Sequence, residues 1–426
     1  MAEVRPFRGL RYVAAMAGDL GAVLCPPYDV ISPEEQAALE RRSPYNAVRL
    51  ELPRAGEGDP YAGAAETLKR WLREGVLARD PQPALYLARH EFTYHGRPFA
   101  RTELTAALQL EELGQKWVRP HEKTRSQPKE DRLNLLKATK TNISPVMLLF
   151  EGSLPEPPAG VQPLVAEVGA GERFLTWALR DPDLARDLRL RVERRPVYVA
   201  DGHHRYETAW TYFRWMFPWA DEATYYVLAT LISFSDPGLL CLPYHRLLSA
   251  LDGPRLGALR RQLASVFKAE QMPVTGASPA QVASGAMERL AGDALFAVWG
   301  LERGCLTVLS LRHQRTVDEI AAAGHSPAWA SLSTAIFRET VLKPALGFEE
   351  EEDAERQGLL SFSKDAAEAV RKVNDGEAQL AVLCKAVPLE ALKAVSDAGE
   401  RLPPKSTYFY PKLPTGLVMR SLEGEL

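Results

Sequence analysis

Between Val197 and Trp210 the chain changes its period. "VYVA" (197–200) is a short β-branched and aromatic run that reads as a buried strand, Asp201-Gly202 interrupts it, and "HHRYETAW" continues as a helix. This handover sets two histidines and an arginine on the first helical turn. A helix N-terminus presents unpaired N–H groups and about half a positive charge, so an oxyanion is stabilised there. Gly202 lets the backbone approach a ligand, Arg205 supplies a planar fork, and His203 and His204 each donate from one ring nitrogen. Asp201 can cap the helix, hold Mg2+ or orient a hydroxyl. Simpler uses exist, with Asp201 as a cap alone and Arg205 paired to Glu207 or Asp201. Five polar or glycine residues in succession at such a junction favour an anion or catalytic site.

The rest of the chain alternates in the same manner. Ser32 and Pro33 open a helix over 33–42, and a second is expected over 61–77. "ALYLARHEF" and "PFARTELTAAL" alternate around Tyr94-His95-Gly96-Arg97 as a β-hairpin. A short helix is predicted over 129–140, a buried strand over 146–150, a linker or long surface loop over 152–163, and a helical face at Leu184, Leu188 and Val192. "YYVLATLISF" (225–234) reads as a central strand, and "ALFAVWG" with "CLTVLSL" as another hairpin. A helix over 363–373, a strand over 378–384 and a helix from Pro388 precede the tail "PPKSTYFYPKLPTG". The acidic run at 349–355 is expected to be a solvated face or loop. These elements predict an α/β, mixed α+β protein with several sheets, divided near 1–151, 164–260 and 261–426.

The 426 residues carry a formal net charge of only −3, which gives no general affinity for nucleic acid or an anionic membrane. The four cysteines are far apart and suggest neither a zinc knuckle nor a disulfide framework. No basic-then-apolar leader and no membrane-length apolar run is read, so a cytoplasmic location is expected.

One loop cannot hold a ligand alone. Micromolar binding needs about −8 kcal/mol, and a charge-assisted hydrogen bond contributes roughly 1.5–3 kcal/mol. Residues 116–140 hold eight basic and three acidic side chains, and Pro120 stiffens the approach to His121, Glu122, Lys123 and Thr124, beside Arg119. The later lysines of this window suit a solvated helix face. Lys405, Ser406 and Thr407 can present an ammonium and two hydroxyls to an oxyanion, while Tyr408, Phe409 and Tyr410 are expected to pack. His245 and Arg246 add a further pair, as cleft wall or surface turn. Tyr28 and Asp29 can contribute to a substrate site, although a tight proline turn is the simpler use.

The order strand, DGHHR, helix resembles the phosphate-binding motif of the ParB/sulfiredoxin-like superfamily, and its form is shared with the free serine kinase branch. This similarity spans about thirty residues, Asp183 to Phe213, and implies a central ParB/sulfiredoxin-like subdomain that binds nucleotide phosphates. Nearly end to end, the blocks "PPYDVI", "RPHEKT", "YVADGHHRYETA", "DPGLLCLPYHR" and "PPKSTYFYPKL" resemble the family known as domain of unknown function 1015. The kinase resemblance implies an ATP- or ADP-dependent phosphotransferase acting with Mg2+ on a small hydroxyl metabolite, free L-serine first among them. Asp201, Gly202, His203, His204 and Arg205 would hold the phosphoryl groups, with Glu122 or Asp201 as base. A non-catalytic regulator that binds a nucleotide or phosphometabolite is the alternative. A ParB-like nucleotide-gated DNA clamp is a further one, against which stand the missing helix-turn-helix and basic tail. The expected partners are nucleotide and small substrate, with no membrane; nucleic acid is not expected, and a homo-oligomer is left open.

Overall fold

The computed structural model describes residues 2–54, 58–123, 126–169, 171–193, 195–274 and 276–426, without the side chains of 126–128. The chain forms two compact units, Met1–Leu240 with Pro411–Leu426, and Cys241–Tyr410. It is a mixed α/β protein with several sheets.

Among the described residues, the first unit is built on a nine-stranded sheet. Its strands are β1 (Val4–Arg5), β2 (Leu85–Tyr94), β3 (Arg97–Gln109), β4 (Val118–Pro120), β5 (Val146–Phe150), β6 (Leu164–Val168), β7 (Glu172–Leu179), β8 (Val197–Asp201) and β9 (Tyr226–Ser233). They lie in the order β4-β8-β5-β9-β3-β2-β7-β6, with β1 pairing β3. The hairpin β2–β3 turns at His95 and Gly96, both at positive φ (47° and 74°), the backbone a tight two-residue hairpin needs. Every residue of β5 and of β9 is buried, because both strands have neighbours on each edge and cover on both faces. The loop 152–163 contains no helix or strand, and strands before and after it share this sheet.

The helices of this unit include α1 (Pro33–Arg42), α2 (Val48–Glu51), α3 (Pro60–Arg73), α4 (Ser126–Thr139), α5 (Pro182–Val192) and α6 (His203–Met216). Ser32 caps α1 by accepting from the Glu35 amide at 3.2 Å. The helix expected over 61–77 ends at Arg73. Gly75 takes φ 73°, and Leu77–Arg79 leaves as a strand that pairs with Leu10–Tyr12. Helix α6 lies on the sheet through Tyr206 and Ala209, which join Val146, Leu148, Val197 and Val199 in one apolar cluster. The fully buried Tyr206 hydroxyl donates to the Glu111 carbonyl at 2.9 Å and accepts from its amide at 3.0 Å, which fixes the helix against the chain beyond β3. Arg420 of the returning tail is buried and donates to the Ala223 carbonyl at 2.8 Å and to Asn142 Oδ1 at 3.0 Å.

The second unit is an antiparallel sheet of β10 (His245–Leu248), β11 (Phe267–Pro273), β12 (Phe296–Glu302), β13 (Cys305–Leu311), β14 (Leu360–Ser363) and β15 (Leu380–Cys384), ordered β11-β13-β12-β15-β10-β14. Its helices α7 (Pro279–Leu290) and α8 (Ala366–Asn374) cover one face through Val282, Ala286, Ala369 and Val370. The predicted helix over 363–373 therefore starts three residues later, its first residue being the end of β14. The acidic run is not wholly solvated as expected. Glu351 is buried with its Oε1 at 3.8 Å from Arg246 Nη2, since a helix starting at Glu351 turns this one carboxylate inward.

Candidate functional site

Strand β8 lies between β4 and β5, buried from Val197 to Ala200, and a register shift after Val199 brings Asp201 to the rim. Gly202 then takes φ 87°, ψ 29°, a left-handed conformation that glycine adopts without a steric cost, and offers no side-chain cap to α6. A Cβ at this position would fall 2.9 Å from Arg205 Nε and 3.0 Å from its Cζ and Nη2. Arg205 is folded back over the glycine.

That fold-back forms the central ion cluster. Arg205 Nη2 contacts Asp201 Oδ2 at 2.6 Å, and its Nη1 donates to the Pro145 carbonyl. Asp201 Oδ1 accepts from the Lys412 ammonium. The three side chains are only 10% (Arg205), 15% (Asp201) and 12% (Lys412) exposed. Burial by itself would raise the Asp201 pKa. Lys412 and Arg205 overcome it and hold the carboxylate well below its ordinary range. Both oxygens are thus engaged by cations. No group of three His, Cys, Asp or Glu side chains suited to a metal occurs among the described residues.

The parallel neighbour of β8 supplies a second layer. Val199 is level with Pro120, so His121 follows beside the end of β8. The buried His121 places Nδ1 at 2.6 Å from the Val199 carbonyl, which can only accept, so Nδ1 carries a proton. Its backbone amide donates to His203 Nε2 at 3.3 Å, and the two rings meet edge to face at 4.8 Å. His203 is therefore an acceptor at Nε2, with Nδ1 protonated in the neutral ring. His204 is half-buried, and burial pushes its pKa below the ordinary value against the opposing pull of Glu122 and Glu207. Glu207 is ion-paired with Lys129. Glu122 is half-exposed and Lys123 exposed; Thr124 lies outside the described residues. Arg119, on β4 level with Tyr198, is half-exposed.

Tyr28 and Asp29 sit in a short turn near this cluster. The Arg132 guanidinium lies 4.3 Å from the Tyr28 ring centre, and burial pushes the Tyr28 hydroxyl up to about 12 although Arg205 draws it down. Asp29 is exposed.

The remaining candidates belong to the second unit. His245 is buried, accepts at Nδ1 from the Cys384 amide at 3.2 Å, and is pushed down to about 4 by burial. Arg246 is buried with its guanidinium 5.5 Å from the Phe362 ring centre. Ser406 is buried and donates to the Pro403 carbonyl at 2.6 Å, Lys405 has a positive φ of 53° with its ammonium 5.2 Å from the Tyr244 ring centre, and Thr407 is half-exposed. Tyr408, Phe409 and Tyr410 form a short strand.

The family described as protein of unknown function, DUF1015, matches residues 4–332. The chain belongs to the DUF1015 family. No curated protein matches it significantly. Among solved structures, the DUF1015 chain is similar to a free serine kinase in complex with AMP, at 12% identity and TM-score 0.35 over 68% of this chain and 83% of that one. It is also similar to SbnI from Staphylococcus aureus, truncated at its C-terminus, at 10% identity and TM-score 0.36 over 72% and 84% of the two chains. A conserved hypothetical protein from Pyrococcus furiosus aligns at 13% identity and TM-score 0.34 over 70% and 89%.

Sequence reasoning missed several residues that this DUF1015 protein gathers at the turn. Lys412 lies 211 positions from Asp201, and only its place in the "YPK" of the tail block marked it. Glu51 is buried and accepts from Ser144 Oγ at 3.0 and 3.2 Å. Arg132, read as part of a basic window, is buried and donates to the Glu51 carbonyl at 2.7 Å and to Asp131 Oδ2 at 2.9 Å through Nε.

Proposed function

We propose that this protein is a nucleotide-dependent phosphotransferase acting on a small hydroxyl metabolite. The observation that carries the reading is the strand end at which Gly202, left-handed and capless, opens α6 between Asp201 and Arg205, with His121, His203 and His204 beside it. An ATP or ADP phosphate chain seated there would meet the first-turn amides of α6 and the imidazole of His204. Lys123, exposed on the loop after β4, adds a cation.

Roles follow from the geometry. Asp201, clamped by two cations and held ionised, serves as a fixed anchor that orients Arg205 and Lys412 rather than as a proton acceptor. Glu122 then acts as the base. It takes the proton of the acceptor hydroxyl, the hydroxyl oxygen bonds to the terminal phosphorus, and the bond from phosphorus to the bridging oxygen breaks. ATP would leave as ADP, and ADP as AMP. Among the described residues no group of three His, Cys, Asp or Glu side chains is placed to hold magnesium. Free L-serine is the first acceptor to test.

The engagement of both Asp201 oxygens also favours a second reading, a regulator that binds a nucleotide or phosphometabolite without turnover. Incubating the full chain with magnesium, labelled ATP or ADP and a panel of small hydroxyl compounds separates the two. A phosphate ester is the expected product. Nucleotide retained with no ester from any acceptor would favour the regulator.

A further inference from the structure

A pocket of the first unit that shares no residue with the DGHHR turn opens to solvent among α1, α2 and α3. It measures about 260 Å³ and is lined by Glu40 of α1, Arg49 of α2, Arg54 just beyond it, and Ala64, Thr67 and Arg70 of α3. Three guanidiniums converge there with one carboxylate. Arg54 is matched, its Nε donating to Glu40 Oε1 at 2.7 Å. Among the described residues Arg49 and Arg70 have no ion-pair partner. Of the five N–H groups of Arg49 one is used, from Nη2 to the Glu40 carbonyl at 2.7 Å, and its buried Nε has no acceptor. The backbone that carries Arg49 is fixed. Val48 and Leu50 on either side are buried, and Asn46 accepts from the Val48 amide at 2.9 Å while donating to the Ala22 and Leu24 carbonyls at 2.8 and 3.0 Å.

Charge selects the occupant. The lining sets three positive charges against one negative, a net +2 in a chain whose formal net charge is −3. Asp59 lies just before α3 and is its N-cap, accepting from the Tyr61 amide at 3.0 Å; counted in full, it still leaves an excess of +1. Glu66 is ion-paired with Arg73 at 3.0 Å, and the buried Glu51 is held by Ser144 and lies 3.9 Å from Arg132 Nη1. Arg41, Arg42 and Lys69, next in sequence to the lining residues, are exposed and add only positive charge. A cleft lined by one sign of charge concentrates the opposite sign. A phosphate monoester carries about −1.5 to −2 at pH 7, with oxygens that match the guanidinium fork. A single carboxylate leaves part of the excess uncancelled. The volume takes a phosphoryl group with a few carbon atoms, for which Pro53, Pro60 and Ala64 supply an apolar wall.

We infer that this pocket binds the phosphate monoester of a small metabolite. Nothing in it depends on the phosphotransferase reading. The test is calorimetric titration of the full chain with glycerol 3-phosphate, with glycerol and glycerate as the neutral and singly charged comparators. Glycerol 3-phosphate should bind, glycerol should not, and glycerate should bind more weakly by roughly tenfold. The Arg70 side chain makes no hydrogen bond or ion pair among the described residues, so Arg70→Gln should keep the denaturant midpoint. It should weaken glycerol 3-phosphate by about tenfold, the loss of one charge-assisted hydrogen bond. Glu40→Gln releases Arg54 and removes the one negative charge of the lining, so it should tighten binding, which damage to the fold would not do. His204→Ala should leave the affinity unchanged, which separates this pocket from the DGHHR turn. No saturable binding, equal binding of glycerate, an unaffected Arg70→Gln variant, weaker binding in Glu40→Gln, or loss of binding in His204→Ala would overturn the inference.

Discussion

The Lys412 ammonium meets Asp201 Oδ1 across 211 positions of sequence, while Arg205, four residues on, holds Oδ2 at 2.6 Å. The end of strand β8 is therefore completed by the returning tail of the first unit. Removing one partner of a buried ion pair leaves the other uncompensated, at about 3–5 kcal/mol. Lys412→Met is expected to destabilise the protein by about 3 kcal/mol, read as a lower midpoint in denaturant unfolding, and Lys412→Arg to restore most of it. An unchanged midpoint for Lys412→Met would show that the pair contributes nothing.

Gly202→Ala meets two obstacles at once, a backbone at φ 87° and a Cβ within 3.0 Å of the Arg205 guanidinium. The left-handed conformation alone costs a non-glycine residue about 1 kcal/mol. Displaced Arg205 should add to that, so a stability loss of about 2 kcal/mol is expected, together with weaker ADP binding in a titration.

His204 supplies a pH signature. Burial lowers its pKa below the ordinary histidine value, so the free protein holds it neutral at pH 7. A phosphate placed against it favours the imidazolium, so binding takes up a proton and ADP affinity should rise as pH falls from 7.5 towards 6, by no more than about tenfold per pH unit. His204→Asn should flatten that slope. Affinity independent of pH in the native protein would place the phosphate elsewhere.

The second unit should respond to acid through His245. Its folded pKa, pushed down to about 4 by burial, lies below the unfolded value near 6.5. The unfolded chain binds the proton first, so stability is fully present above about pH 6.5 and declines as pH falls towards 4, by about 3 kcal/mol in total. Denaturant midpoints measured across this range should show the decline, and His245→Asn should reduce it.

Where local chemistry decides, the fold was legible in the residues. The turn at Asp201-Gly202 and the hairpin at His95-Gly96 rest on neighbours a few positions apart, and both stand where the period of the sequence changes. His121 could be suspected from its stiff, charged loop, and β4 running beside β8 brings it to His203. Glu51 could not, because its partner Ser144 lies 93 residues away and nothing in "VRLE" separates a buried carboxylate from a solvated one. The same blindness made Glu351 one of a solvated acidic run, although it faces Arg246 inside the second unit. Composition reports how many charges a segment has, and only tertiary pairing decides which of them are buried.

The most direct test of the phosphate site is calorimetric titration of ADP into the full chain and its His204→Ala variant. Loss of one charge-assisted hydrogen bond, about 1.5–3 kcal/mol, predicts binding weaker by roughly tenfold or more in the variant. Equal affinity in the two proteins would contradict the assignment of this turn to nucleotide phosphate.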